Sequence, residues 1–286
     1  MKIRIVTDST SDLQASLASE HGIEIVPLKV MFGEETYRDG IDLNINEFYD
    51  KLQHSGVFPS TSQPSPAEFE EVYQRLLSDP DVHIISIHVS SKLSGTLQSA
   101  EIALTLLSDE QAKRITIIDS KNACYGLAIF AMEMAKKAAD GGSIEECLDL
   151  FQRLRSSMRL YFLVDTLEYL QRGGRIGKAS AMIGSLLNIK PILTIDEDGA
   201  VAPVDKVRGQ KQAIKKIIEM CKQQMADRSV HVTLLHSQAL SLIEQIGQDL
   251  PAQFQVKSIN YASIGPVIGT HVGPGALAVI MYDEFA

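Results

Sequence analysis

Cysteine is scarce in this chain, and its spacing excludes two kinds of architecture. Cys124, Cys147 and Cys221 are odd in number, lie far apart and fall in helix-like stretches, so they make no disulfide framework. No set of His and Cys has zinc-ligand spacing, and no metal is expected. Long apolar runs are also missing. None approaches the roughly 20 residues that span a bilayer, and Met1-Lys2-Ile3-Arg4-Ile5-Val6-Thr7-Asp8 lacks the apolar core of a signal peptide. Basic charge is in deficit, 27 Lys and Arg against 36 Asp and Glu for a formal charge of −9. That balance opposes nucleic-acid binding as a global property and counts against a DNA-binding regulator. A soluble cytoplasmic protein is the expectation.

Nucleotide motifs are absent as well. No G-x-G-x-x-G follows the first apolar run, which argues against a dinucleotide. Gly177-Lys178 imitates a phosphate loop and fails at both ends: Arg172 stands where its first glycine belongs, and Ala179 replaces the Ser or Thr that binds magnesium. Asp8 and Asp12 invite a phosphatase or metal reading, but they are four apart rather than two. Ser11 with Gln14 explains that segment as a helix start.

What is present is a large core and an α/β rhythm. With 286 residues and 45% hydrophobic content, the length points to two domains. Short β-branched runs at 3–6, 23–30, 83–89 and 115–119 alternate with amphipathic stretches, the pattern of a Rossmann-like parallel sheet. Phe69, Val72, Tyr73 and Leu76 recur at helical spacing, as do Ile144, Cys147, Leu148, Phe151 and Leu154. Asn44 with Glu47 and Ser143 with Glu146 read as capping boxes. The rhythm changes near residue 158, so the expected domains are 1–157 and 158–286. In the second, Asp198-Gly199 between apolar runs signals a hairpin. Helices near 214–221 and 242–250 and strands at 160–164, 230–235, 256–261 and 276–282 complete a smaller α/β domain with a mixed sheet.

Two hydroxyl-rich stretches carry the chemistry: Thr61-Ser62-Gln63-Pro64-Ser65-Pro66 and Ser90-Ser91-Lys92-Leu93-Ser94-Gly95-Thr96. Each opens a helix-like segment, where unpartnered N–H groups and the helix dipole favour a small anion: phosphate, sulfate or carboxylate. Ser65 and Glu68 fit a capping box with Pro66 at the first helical position, which leaves Thr61 and Ser62 to face a ligand. Ser94 is the preferred direct ligand, with Gly95 permitting close backbone approach and Thr96 adding a donor. The competing reading is that these hydroxyls only cap the helix. His271, in a Gly- and Pro-rich loop before the last strand, would complete a carboxylate site through an imidazole N–H. Asp8 is expected to bond backbone or hydroxyl groups at the crevice. Arg172 and Arg175 flank Gly173-Gly174 and suit an anionic partner, whether protein, phosphate or lipid headgroup, or else are plain solvated arginines. A serine-type acyl hydrolase using Ser94, His271 and Asp8 is the leading enzyme alternative, although Lys92 stands where a nucleophile elbow requires glycine.

Six stretches in register resemble the DegV family, bacterial fatty-acid-binding proteins. They are Thr7-Asp8-Ser9-Thr10-Ser11-Asp12-Leu13, Tyr37-Arg38-Asp39-Gly40-Ile41-Asp42, Thr61-Ser62-Gln63-Pro64-Ser65, Ser94-Gly95-Thr96, Arg172-Gly173-Gly174-Arg175-Ile176 and Gly269-Thr270-His271-Val272-Gly273-Pro274-Gly275. The resemblance implies two domains with one long-chain fatty acid between them. Its carboxylate would be held by Thr61, Ser94 and His271, with Ser62 secondary, and its tail would lie in an apolar tunnel. It also implies an acyl carrier without catalysis or cofactor of its own, serving a separate ATP-binding fatty acid kinase subunit that docks at Arg172 and Arg175 and feeds phospholipid synthesis. A transient membrane contact fits the same role. Residues 160–164 and 183–193 offer apolar side chains for the tunnel and equally read as ordinary core.

Overall fold

The computed structural model describes residues 2–184, 189–225 and 227–284. Contacts along the chain divide it into one unit of Met1–Arg155 with Gly265–Val267 and another of Ser156–Ile264 with Ile268–Ala286.

In the first unit the β-branched runs become strands β1 (Lys2–Asp8), β2 (Glu24–Val26), β3 (Lys29–Phe32), β4 (Glu35–Arg38), β5 (Ser60–Ser62), β6 (Val82–His88) and β7 (Ile115–Asp119). The helices are α1 (Ala15–Glu20), α2 (Ile45–His54), α3 (Pro66–Leu77), α4 (Thr96–Leu104), α5 (Asp109–Ala112), α6 (Tyr125–Ala139) and α7 (Ile144–Ser157). A parallel sheet runs β2-β1-β6-β7. Phe69, Tyr73 and Leu76 of α3 pack with Ala100 and Ala103 of α4 on Val6 and Ile84. The strand order reverses between β1 and β6, so the loops after these two strands frame the switch-point crevice where such sheets bind ligands.

A buried carboxylate fixes that crevice. Asp8, at the end of β1 and fully buried, accepts from the Thr10 N–H at 3.1 Å and the Thr10 hydroxyl at 2.5 Å. Its other oxygen meets His88 Nδ1 at 3.0 Å and accepts from the Val89 N–H at 3.0 Å. This bonding displaces the helix start expected at Ser11 and Gln14. Asp8 instead caps a 3-10 turn over Ser9–Ser11, Asp12 follows in the left-handed region at φ 53°, and α1 begins after Gln14 without a side-chain cap. The boxes at Asn44/Glu47, Ser65/Glu68 and Ser143/Glu146 form as their spacing requires.

The apolar run 23–30 is not one strand. Pro27 has no N–H for a ladder, so pairing with β1 stops at Val26. The chain then enters a second, antiparallel sheet ordered β4-β3-β5.

Two further carboxylates hold Gly265–Val267 in this unit. Asp12 accepts from the Gly265 backbone and, at 2.9 Å, from the Cys124 thiol. Asp39 accepts from Ser9 and the Val267 backbone. Burial is the main reason that both titrate high, Asp12 at about 8, reinforced by the charge of Asp39, and Asp39 at about 7.

The second unit contains β8 (Arg159–Leu163), β9 (Ile189–Ile195), β10 (Val201–Arg208), β11 (Ser229–His236), β12 (Gln255–Ser263) and β13 (Leu277–Asp283). With them are α8 (Glu168–Arg172), α9 (Gln210–Met225), α10 (Leu240–Asp249) and, from Ile268 on, α11 (Pro266–Val272). The sheet order is β10-β9-β8-β13-β11-β12, with β11 and β12 parallel and the other pairs antiparallel. The Asp-Gly hairpin joins β9 to β10, its Gly199 at φ +90°. Ile217, Cys221 and Ile243 of α9 and α10 cover the face that presents Tyr161, Leu163, Val232 and Val279.

An acid whose folded pKa is raised binds its proton more tightly in the folded state than in the unfolded one. Folding stability therefore falls as pH rises from the ordinary Asp value, 3.8, through about 7 for Asp39 and about 8 for Asp12. Asp39→Asn keeps an acceptor and removes one ionisation. Urea unfolding across pH 4 to 8 should show a slope shallower than wild type by up to about 1.4 kcal/mol per pH unit. An unchanged slope refutes the assignment.

Candidate functional site

The loop between β6 and α4 sorts its three hydroxyls into distinct jobs. Ser90 is fully buried: its backbone N–H donates to the Asn122 carbonyl and its hydroxyl accepts from the Lys92 N–H at 3.2 Å. Ser91 donates to Asp119 at 2.6 Å. Both shape the loop. Ser94 lies 2.8 Å from the Thr96 hydroxyl and accepts from the Thr96 N–H at 3.3 Å, so it stands over the first turn of α4. The N-cap of α4 is Gly95, and no side chain caps it from that position. The expected loop and the expected helix start are both where the sequence puts them.

Thr61 and Ser62 are placed differently from expectation. They lie on β5, opposite Val30 and Lys29 of β3, rather than in a free loop. Ser62 donates to the Gln63 carbonyl at 3.2 Å. Three polar residues in a row give no alternation of apolar and polar positions, so the strand left no signal in the sequence. The two hydroxyl stretches are nevertheless brought together. A Cβ on Gly95 would stand 2.7 Å from Gln63 Nε2, so the missing side chain of one loop admits the amide of the other.

His271 sits in the last turn of α11, not in a loop. Pro266 at the first position and Gly273 after the last are the usual start and stop of a helix. The Gly273 N–H reaches the Gly269 carbonyl at 2.8 Å with Gly273 at φ +73°. Burial, with the positive charge of Arg175 added, lowers the imidazole pKa to about 4, so the ring is neutral at pH 7. Ser237, fully buried, holds the turn that follows: its hydroxyl donates to the Gly273 carbonyl at 2.8 Å and accepts from the Ala276 N–H at 2.7 Å. Nothing local in the sequence marks Ser237, which lies 36 residues from the turn it shapes.

Gly174 reverses the chain after α8 at φ +71°, with the Arg175 N–H on the Leu170 carbonyl and the Gly174 N–H on the Gln171 carbonyl. That turn sends the two arginines in different directions. Arg172 is exposed and paired with Glu168 at 2.6 Å. Arg175 is partly buried and donates to the Gly173 carbonyl at 2.6 Å.

Of the apolar stretches, 160–164 alternates on β8. Tyr161 and Leu163 join the core under α9, while Leu160 and Phe162, both half-buried, occupy the other face together with the buried Leu193, Ala278 and Ile280. Within 183–193, residues 185–188 lie outside the described residues. Lys178 pairs with Asp196 at 2.6 Å and belongs to no phosphate loop. A cavity of about 530 Å³ in the first unit is lined by Ser9, Asp12, Asp39, Asn44, Gly265 and Pro266 among others, apart from the hydroxyl loops. Among the described residues no group of three or more His, Cys, Asp or Glu is placed to hold a metal, and no helix is long and apolar enough to cross a membrane.

Comparison with known proteins finds matches over nearly the whole chain. A family model described as "Uncharacterised protein, DegV family" matches residues 2–284. A DegV domain-containing protein of Halalkalibacterium halodurans is 38% identical over 284 residues, 99% of each chain. Among solved structures, a fatty-acid-binding DegV family protein of Thermus thermophilus is 36% identical with a TM-score of 0.92, covering 99% of this chain and 100% of that one. A stearic-acid-binding protein of Eubacterium ventriosum is 26% identical with a TM-score of 0.89, covering 99% and 98%. The chain belongs to the DegV family.

Proposed function

We propose that this protein binds one long-chain fatty acid and presents its carboxylate to a separate ATP-binding kinase subunit for acyl phosphate formation, without catalysing that step itself. Thr61, Ser94 and His271 are the proposed donors to the carboxylate, and Ser62 assists. The observation that carries this reading is the head of α4. A glycine at the N-cap, Ser94 beside it and the helix dipole behind it make a place for one carboxylate group. The fatty-acid-binding relatives supply the identity of that carboxylate.

The tail needs an apolar lining, and the face of the second sheet that carries Leu160, Phe162, Leu193, Ala278 and Ile280 is the proposed one. At about 0.8 kcal/mol for each buried methylene, a long chain dominates affinity while the hydroxyls and imidazole fix orientation. A neutral His271 donates one N–H to the carboxylate and brings no countercharge, which leaves the oxygens nucleophilic. The hydrolase alternative lacks its acid: both Asp8 oxygens are engaged by Thr10, His88 and Val89. Arg172, exposed on α8, is the proposed docking residue, with Arg175 contributing from within the loop. No cofactor and no nucleic acid enter this scheme, and the site of action is the cytoplasm, with passing contact at the membrane surface.

Mass spectrometry of protein purified from cells should find one acyl chain per molecule, and turnover of an acyl ester should be nil. Ser94→Ala or His271→Ala should each weaken fatty-acid retention by about tenfold, the loss of one hydrogen bond to a charged group, with an unchanged circular dichroism spectrum. Full retention and full kinase-coupled phosphorylation in both variants would sink the site.

Arg172→Ala should leave bound lipid at wild-type level while raising the concentration needed to saturate the kinase. Identical coupling removes Arg172 from the docking surface.

A further inference from the structure

Two close glycine approaches in the second unit meet at His271 and Tyr169. A Cβ built on Gly173 would fall on His271 Nδ1, and would also stand 3.0 Å from Cε1 and 3.1 Å from the Tyr169 carbonyl oxygen. A Cβ on Gly273 would fall on the Tyr169 ring. The end of α8 and the end of α11 are thus interlocked at two points, each possible only because one partner has no side chain. Arg175 closes the arrangement, its guanidinium on the Gly173 carbonyl and its charge facing the imidazole. Glu168 and Arg172, paired with each other, are the charged groups one turn earlier on α8.

We propose that residues 172–175 are the seat of His271: Gly173 is a positioning residue that fixes where the imidazole points, Arg175 supplies the charge that faces it, and displacement of the exposed Arg172 side of the loop is felt at the ring. With Nδ1 turned to Gly173, Nε2 is the nitrogen directed away from the seat. The tautomer protonated at Nε2 is the one that serves a carboxylate. The consequence for lipid rests on the proposed function, whereas the geometry of the seat does not.

The test is histidine NMR on the full-length chain, with the His271 resonance assigned by its loss in His271→Gln. In the wild type the His271 Cε1–H should titrate near pH 4. Gly173→Ala expels the ring from its seat, and the midpoint should move towards the ordinary value of 6.5 while the His83 and His236 curves stay in place. Arg175→Gln, which adds no bulk and keeps the assay open if Gly173→Ala fails to fold, should shift the His271 curve upwards by less. An unmoved curve in Gly173→Ala or Arg175→Gln overturns the proposal. Release of radiolabelled stearate, measured in parallel, should quicken about tenfold in Gly173→Ala. A moved curve with unchanged release upholds the seat and removes His271 from the lipid site.

Discussion

Everything at the crevice of the first unit descends from one buried charge, the Asp8 carboxylate. A carboxylate with no exposure loses its hydration, which costs several kcal/mol unless the protein replaces the water with donors. Thr10 contributes its N–H and its hydroxyl, Val89 its N–H and His88 its ring. These groups come from the end of β6 and from the turns that follow β1 and β6, so satisfying the charge also fixes where the two strands end. The bonding continues inward from His88 to Ser86 at 2.7 Å and from Ser86 to Tyr73 at 2.8 Å, which ties the crevice to the core under α3. Removing one member leaves the others buried without a partner, so the chain of bonds behaves as a unit.

From this fixed point the next residues are determined in order. Val89 is held by Asp8, Ser90 by Asn122 and Ser91 by Asp119, and the chain arrives at Ser94 with its course already set. The proposed ligand hydroxyl of Ser94 thus depends on two that only shape the loop. The second unit repeats the device with different parts. Ser237 is buried to shape the turn after α11, Gly273 lets that turn lie on Tyr169, and His271 is delivered by their combination. In both units a buried Ser makes the loop, a Gly permits the approach, and a third residue is the proposed carboxylate ligand.

The strands of the parallel sheet, the capping boxes and the Asp-Gly hairpin were legible because each is a local pattern: β-branched runs, S/T/N-x-x-E spacing, a turn dipeptide. Four features were not, for physical reasons. β5 is three polar residues held by pairing to β3, and no local preference announces it. α11 is short and flanked by glycines, so its start and stop signals read as a loop. The Ser11/Gln14 box had the right spacing and lost to Asp8, a stronger acceptor a few residues away. Ser237 and Gly173 matter only through contacts with residues 36 and 98 positions distant in the chain, Gly273 and His271, and sequence proximity carries no trace of those. Ser94, His271 and the Arg-Gly-Gly-Arg stretch stand out by their own local chemistry, and the family resemblance adds the fatty acid as the expected ligand.

That last stretch shows why a motif must be read through its backbone. Arg172 and Arg175 look equivalent in sequence, two cations around two glycines. The left-handed Gly174 turns the chain so that one guanidinium stays exposed beside Glu168 and the other folds back on the Gly173 carbonyl. An exposed ion pair stabilises the fold little, so Arg172 can exchange Glu168 for another anion at small cost. Arg175 cannot be moved so cheaply, because its charge and its hydrogen bond sit beside a neutral imidazole. The two glycines thus convert a symmetric sequence into an asymmetric device, in which one arginine faces outward and its twin sets the environment of His271.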